Sequence, residues 1–405
     1  MIVMHVDVNS AFLSWTSVEA LRRGGTIDYR TVPAVIGGDE ASRHGIVLAK
    51  SGPAKRYGIS TAETLVEARR KCPGLIVLSP DHGLYSRCSD AMYEILCDYT
   101  DRIQRFSVDE CFLDMTRSPK AQADPVKTAY EIKDRIYGEL GFTVNVGVSN
   151  CKILAKMGSD LEKPDKVHTL FPHEIAAKMW PLPVGDLFMV GKSSRAKLES
   201  LGVHTIGDLA NADRDFIKSM LKSHGELIWN YANGIDPEPV TPNDETARKG
   251  VGNSITIDHD VTDRGEAHRF LLALSEKVAG RLRAKGRRGS VITVSIKSAD
   301  FRNYSHQRAI DGFTGSTDEI YAAAVSLFDE CWNGEPVRLL GVSAGGLDND
   351  GQEQLSMFGA QERETAGRAD SVVDEIRKRF GRDAIMRASF VEGRSRGSDE
   401  KEEGR

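Results

Sequence analysis

The chain has 405 residues, 40% hydrophobic and 28% charged, with a net charge of −5 at neutral pH. At roughly 100–200 residues per domain this is the composition of an ordinary folded chain of several domains, and it excludes a disordered or fibrous class. No run approaches the roughly eighteen apolar residues of a membrane span, so no membrane partner is expected.

Residues 2–8 are apolar except for His5 and Asp7 and predict a buried strand. Asn9-Ser10 offers an N-cap for a helix carrying Ala11, Phe12, Leu13, Trp15, Val18 and Leu21, which Gly24-Gly25 ends. Short β-like runs at Val32–Ile36 and Ile46–Ala49 precede a helix over residues 62–71. Cys72-Pro73-Gly74 breaks it before a strand at Leu75–Leu78. Tyr85, Cys88, Met92, Ile95, Leu96 and Tyr99 have helical spacing, and Ile103–Met115 reads as two short strands meeting near Val108-Asp109. An amphipathic helix over Val126–Leu140 leads to a strand at Phe142–Val148. Ser149-Asn150 would cap the next helix, which bears Ile153, Leu154 and Met157 and ends before Pro164. This order around an antiparallel hairpin predicts an α+β sheet domain with helices on one face, interrupted by an insertion over residues 29–78.

Past Pro172 the texture is helical, and residues 244–250 read as a polar linker. Residues 251–347 predict a second α+β unit: strands at Ser254–Ile257, Val291–Ser298 and Val337–Ala344, and helices over Ala267–Arg283 and Asp318–Trp332. Residues 348–369 are polar and Gly-rich, hence expected to be flexible. A short helix at Ser371–Phe380 precedes a charged end.

The six cysteines, Cys72, Cys88, Cys97, Cys111, Cys151 and Cys331, form no Cys-x-x-Cys or Cys/His zinc spacing, so no zinc is expected. Their scatter fits reduced thiols. The start, Met1–Asp7, lacks a basic region followed by a long apolar stretch. The expected location is cytoplasmic.

Three acids stand out. Asp7 ends an otherwise hydrophobic strand, and Asp109-Glu110 is embedded in Phe106-Ser107-Val108-Asp109-Glu110-Cys111-Phe112-Leu113. A buried carboxylate needs a partner, and magnesium bound by a few carboxylates and substrate phosphates would supply one. Adjacent strand residues point to opposite faces, so Asp109 and Glu110 converge only at a turn or bulge. On these two segments alone, a solvated hairpin tip and a helix-capping acid fit equally well. Lys163, following a helix that ends before Pro164, can reach a triphosphate or stand as a solvated helix-end cation.

His5-Val6-Asp7-Val8-Asn9-Ser10-Ala11-Phe12, Ser107-Val108-Asp109-Glu110, and Gly147-Val148-Ser149 through Leu154-Ala155-Lys156 to Lys163-Pro164 together resemble the Y-family DNA polymerases, in the family's order and spacing. The resemblance covers about residues 1–345. It implies a monomeric right-hand polymerase: a ferredoxin-like palm at 1–16 and 79–172, small fingers at 17–78, a helical thumb at 173–243, and an α+β little finger at 251–347. The activity implied is template-directed addition of deoxynucleotides to a primer 3′-hydroxyl, with low fidelity, in translesion synthesis. Asp7 and Asp109 would bridge two magnesium ions, with the Val8 carbonyl as a further ligand and Glu110 on the ion that activates the primer.

Phe12 matches the family's steric gate against a ribose 2′-hydroxyl; without the resemblance it would read as helix packing. Ala11 beside it suggests a permissive nucleotide site, and Lys163 would neutralise the triphosphate. The family's second phosphate clamp, a Tyr and an Arg three residues later, aligns here with Gly52 and Lys55, so the fork of an arginine is replaced by a point charge that Lys50 could assist.

Arg281-Leu282-Arg283-Ala284-Lys285-Gly286-Arg287-Arg288, followed by Lys297, Arg302 and Arg308, suits sequence-independent contact with primer-template DNA. Leu187–Gly191 and Leu198–Val203 resemble a helix-hairpin-helix, whose turns offer backbone N–H groups to phosphate. Gln354-Leu355-Ser356-Met357-Phe358 resembles the bacterial sliding-clamp-binding pentapeptide, with Gln354, Leu355, Met357 and Phe358 as the docking residues. Gly37-Gly38-Asp39-Glu40 mimics the start of a diguanylate cyclase motif but lacks its aromatic and lies off the acidic hairpin. Two rivals follow: a catalytically weak DNA- and clamp-binding factor, given Gly52 and Lys55, and a nucleotidyl cyclase with a related palm.

Overall fold

A computed structural model of the chain describes residues 1–38, 45–242, 250–348, 360–381 and 384–388, with backbone alone for 360–368. It divides into two units, Met1–Thr246 and Ala247–Arg405.

The first unit runs β1 (Val3–Val8), α1 (Ala11–Arg22), β2 (Ala34–Gly37), β3 (Val47–Lys50), α2 (Gly52–Arg56), α3 (Leu65–Lys71), β4 (Ile76–Leu78), α4 (His82–Cys97), β5 (Ile103–Arg105) and β6 (Glu110–Asp114). There follow α5 (Pro119–Ala123), α6 (Pro125–Leu140), β7 (Val144–Ser149), α7 (Lys152–Asp160), β8 (Val167–Thr169), α8 (Ile175–Lys178), α9 (Lys192–Ser200), α10 (Ile206–Asn211) and α11 (Arg214–Ala232).

Five strands form one sheet in the order β5-β6-β1-β7-β8, with β1 antiparallel to both β6 and β7. The alternation of β1 explains its sequence. Met4, Val6 and Val8 enter the main core with Trp15, Tyr85, Met92, Ile132 and Val146, contributed by α1, α4, α6 and β7. Val3 turns the other way, onto Phe112, Ala155 and Val240. His5 on that face meets Ser159 of α7.

Helices therefore cover both faces, not one: α1, α4 and α6 on one side, α7 on the other. The close approach of α7 requires Gly147, because a Cβ there would lie 1.9 Å from the Ala155 carbonyl oxygen. The cap of α7 also differs from expectation. Ser149 ends β7 and Cys151 is the N-cap residue. The Ile153 N–H is taken by Asp236, 3.0 Å away, from the segment after α11.

The insertion is a three-stranded sheet, β3-β2-β4, packed on its own core of Val35, Val47, Ala54, Ile59 and Leu65. It includes α2, a five-residue helix too short to leave a periodic signal in the sequence; Ser51 Oγ caps it by accepting from the Ala54 N–H at 3.0 Å. Helices α9 to α11 pack around Leu187, Leu198, Ile206, Leu209, Ile217 and Ile228, with Ile153, Leu154 and Met157 of α7. Within α11 the helical path breaks at Lys222 (φ 59, ψ −142).

The second unit runs β9 (Gly250–Val261), α12 (Arg264–Arg283), β10 (Gly289–Ser298), β11 (Asn303–Thr314), α13 (Thr317–Cys331), β12 (Val337–Leu347) and α14 (Ala360–Phe380). Its antiparallel sheet has the order β11-β10-β12-β9, and α12 and α13 cover one face through Leu271, Val278, Leu327 and Phe328. The edge strand β11 was not expected: most of it is exposed, so it lacks an apolar alternation. The final helix starts at Ala360, inside the stretch read as flexible. The architecture is α+β and multidomain, as the sequence implied.

Candidate active site

Register brings two of the three acids together. Asp7 pairs with Glu110 across the β1–β6 ladder, so both side chains leave the face covered by α7. Asp109 sits in the turn before β6, where the Val8 N–H donates to its carbonyl at 3.1 Å. A turn is the setting that convergence with Glu110 requires, but the Asp109 side chain is directed to its own turn. The Asp109 carboxylate accepts from Ser107 Oγ at 2.5 Å.

Two lysines carry the counter-charge. Lys163 Nζ lies 2.5 Å from Asp7 Oδ2 and 2.7 Å from Asp160 Oδ1. Lys156 Nζ lies 2.6 Å from Glu110 Oε1, 3.4 Å from Asp160 Oδ2 and 3.8 Å from Asp7 Oδ2. In the sequence Lys156 has no role beyond its motif; the signal for one is a lysine between the apolar Leu154 and Met157 of α7.

Burial pushes the Asp7 carboxyl up, against the pull of Lys163 and Lys156. Burial likewise raises Glu110, against Lys156 and helped by Asp7 and Asp109. Burial opposes the charge of Lys163, but Asp7 and Asp160 outweigh it and bring the ammonium up to about 12. The lysines are therefore charged, and the buried carboxylates still lack full compensation.

His5 is fully buried, with Nδ1 2.8 Å from Ser159 Oγ. Its Nε2 has no hydrogen-bond partner and lies 3.9 Å from Glu110 Oε2. Burial, then the charges of Lys156 and Lys163, hold this ring well below the ordinary histidine value.

Among the described residues no three His, Cys, Asp or Glu side chains are arranged around one ion position. The donor set nonetheless suits a hard divalent cation: carboxyl groups gathered at one end of β1 and β6, two of them raised by burial and relieved by positive charge. Asp109 would have to leave Ser107, and Lys163 to leave Asp7.

Phe12 stacks on Tyr85 with centroids 4.3 Å apart and planes 5° apart, and His82 meets its ring edge-on at 6.3 Å. Ala11 is buried in the main core, as is the Val8 side chain, so neither side chain offers a binding surface. Lys55 is exposed in the last turn of α2. Burial, then the neighbouring Lys55, lower the Lys50 pKa. A Cβ at Gly52 would have nothing within 4 Å.

The basic block of the second unit is less free than its sequence suggested. Arg283 is held by Asp374 at 2.7 and 3.0 Å, by Asp370 at 2.9 Å and by the Gly315 carbonyl at 2.7 Å. Arg287 donates to the Asp348 carbonyl, and Arg288 meets the Asp348 carboxylate through its backbone N–H and Nε. Arg302 meets Glu335 at 2.7 Å. Lys285 is exposed just past α12, and Lys297 lies over the Phe301 ring at 5.3 Å. Lys297 stands on the helix-free sheet face, near a row of small residues crossing all four strands, Ser254, Gly341, Ser295 and Ser305. Gln354, Leu355, Met357 and Phe358 lie outside the described residues, as do Asp39 and Glu40 and residues 243–249. No helix among the described residues is long and apolar enough to cross a membrane.

Comparison with known proteins identifies the family. The impB/mucB/samB family model matches residues 6–160, and the model of that family's C-terminal domain matches residues 248–357. The chain is 48% identical to the DNA polymerase IV of Clostridium acetobutylicum over 392 residues, 96% of this chain and 98% of that protein. It is 39% identical to the DNA polymerase IV of Acetivibrio thermocellus over 397 residues, 97% of this chain and 98% of that one. In fold it is similar to a Y-family DNA polymerase chimera, with a TM-score of 0.73 at 23% identity, covering 85% of this chain and 99% of that one. The chain belongs to the impB/mucB/samB family, the Y-family DNA polymerases.

Proposed function

We propose that this chain extends a DNA primer on a template by two-metal phosphoryl transfer, with low fidelity and tolerance of damaged templates. The observation that carries this reading is the Asp7–Glu110 pair on one sheet face, with Asp109 in the adjoining turn. Two magnesium ions bound there would stabilise the attacking and leaving oxygens. Asp7 and Asp109 would hold both ions, the Val8 carbonyl would be a further ligand, and Glu110 would hold the ion nearer the primer 3′-hydroxyl. Lys163 moves from Asp7 to the triphosphate of the incoming deoxynucleotide. Phe12, braced by Tyr85, fills the space a ribose 2′-hydroxyl needs. Lys55, beside Lys50, supplies the second phosphate contact.

The five-stranded sheet then serves as palm, the β3-β2-β4 insertion as fingers, α9 to α11 as thumb, and the second unit as little finger. Lys297 and Lys285 are the cations of that unit we assign to DNA phosphates, and its helix-free, hydroxyl-lined face is the contact surface. Gln354, Leu355, Met357 and Phe358 are the segment we assign to a bacterial sliding clamp. The activity is cytoplasmic and that of a monomer.

Primer extension with magnesium on undamaged and abasic templates tests the reading, beside an Asp109→Ala, Glu110→Ala double variant. Extension by the wild type that the double variant loses is the expected result. No wild-type extension would favour a DNA- and clamp-binding factor, and extension surviving the double substitution would remove the metal site.

A further inference from the structure

Two lysines touch the carboxylate centre, and they are anchored differently. Lys163 lies beyond the end of α7 with 39% of its side chain exposed. Lys156 lies within α7 with 9% exposed, and its neighbours Ile153, Leu154, Ala155 and Met157 are all buried. The helix backbone at Ala155 lies so close to Gly147 of β7 that a Cβ there would sit 1.9 Å from the Ala155 carbonyl oxygen, so α7 packs directly on the sheet. The Lys156 carbonyl is fixed as well. Ser159 Oγ donates to it at 2.8 Å, and the same oxygen takes the Nδ1–H of the buried His5.

We propose that Lys156 is a fixed counter-charge and positioning residue of the carboxylate centre, remaining on Glu110 when divalent cations are bound, while Lys163 is the lysine that leaves. This rests on the reading of Asp7, Asp109 and Glu110 as metal ligands.

Several features support the division. The Lys156 ammonium reaches carboxylates from three elements: Glu110 on β6, Asp7 on β1 and Asp160 on α7. Extracting it would leave the buried Glu110 without its closest cation, at a desolvation cost that a solvated lysine does not bear. Its 2.6 Å bond to Oε1 leaves Oε2 as the oxygen Glu110 can offer a cation, so the carboxylate is presented in one orientation. With Lys156 fixed, the three acids act as a centre of net charge −2. Among the described residues the buried His5 Nε2 beside Glu110 has no hydrogen-bond partner, and its neutral ring adds no competing charge.

The test uses the full-length wild-type protein with Mn2+ as the probe, and no nucleotide or DNA. Lysines are acetylated under native conditions and read by mass spectrometry, with and without saturating Mn2+. Lys163 gains label when Mn2+ is added, whereas Lys156 stays unlabelled in both. Labelling of Lys156 on Mn2+ addition would overturn the proposal.

A second measurement follows the melting temperature of Lys156→Met. A fixed lysine contributes in both states, so the Tm deficit persists at saturating Mn2+. A deficit present without metal but abolished by Mn2+ would mean that the ion displaces Lys156, which also overturns it. If wild-type Tm and calorimetric titration show no Mn2+ binding at all, the metal-centre reading itself fails, an outcome distinct from a moving Lys156.

Discussion

Asp7 stands directly opposite Glu110 in the antiparallel β1–β6 ladder. Two carboxylates distant in sequence thus share one sheet face, at a spacing where like charges repel unless cations intervene. Lys163 and Lys156 intervene here, each bonded to one acid.

That pairing fixes a pH dependence. Burial raises Asp7 above 3.8 and Glu110 above 4.5. A carboxyl raised on folding binds more protons in the folded state, so metal-free stability declines as pH climbs from the ordinary values through the raised ones. Divalent cations require the ionised forms, so their stabilisation follows the opposite course. The Mn2+-induced Tm increase is expected to fade as pH falls, beginning above the range of ordinary carboxylates. Asp7→Asn should flatten the metal-free slope. A Mn2+ increment unchanged down to about pH 4 would show that these acids are not the ligands.

Phe12 leads to a second expectation. Its ring is stacked on Tyr85, which is itself buried with its hydroxyl 3.3 Å from Thr16 Oγ1. Phe12→Ala should admit ribonucleotides, seen as a fall in the deoxy-to-ribo ratio of kcat/KM by about 100-fold or more. Tyr85→Ala removes the brace but not the blocking ring and should give a smaller fall. Unchanged discrimination in Phe12→Ala would return that residue to plain helix packing.

How much of this was legible in the sequence follows from which interactions are local. The β1 strand and the β5–β6 turn are local, so the positions of Asp7 and of the Asp109-Glu110 hairpin were legible, while their role came only with the family resemblance. The face that α7 covers is set by tertiary packing against Gly147, which element order does not encode. For that reason Lys156 passed as a motif residue and the helices were placed on one face. Strand β11 escaped because an exposed edge has no apolar period to detect. The basic block misled in the other direction: composition shows Arg283 and Arg288 but not that Asp374 and Asp348 hold them.

The open space at Gly52 makes a gain of function testable. A side chain there meets nothing within 4 Å, and Lys55 is exposed three residues on in the same short helix. Gly52→Tyr with Lys55→Arg should lower the KM for incoming deoxynucleotide by about tenfold, since a guanidinium fork grips phosphate in two bonds where an ammonium offers a point charge. Lys55→Ala should raise KM. Indifference of KM to both changes would place the triphosphate elsewhere.

The second unit separates structural from binding cations. Arg283 is half-buried and bonded to two acids of α14, so Arg283→Ala leaves Asp370 and Asp374 without their shared partner. The loss should be about 2 kcal/mol, below that of a fully buried pair because some solvent reaches the site. It should appear as a lower Tm with little change in the salt dependence of DNA binding. Lys297 has the opposite profile: it stands on the helix-free sheet face over Phe301, with no ion pair recorded among the described residues. Lys297→Ala should leave Tm nearly unchanged, weaken binding to any primer-template sequence alike, and reduce the slope of log K against log salt by about 1. Measuring both variants by fluorescence anisotropy across salt concentrations decides the assignment. If Arg283→Ala alone flattened the slope, the α14 clasp would have to open on DNA, and the contact surface would lie on the helix side of the sheet.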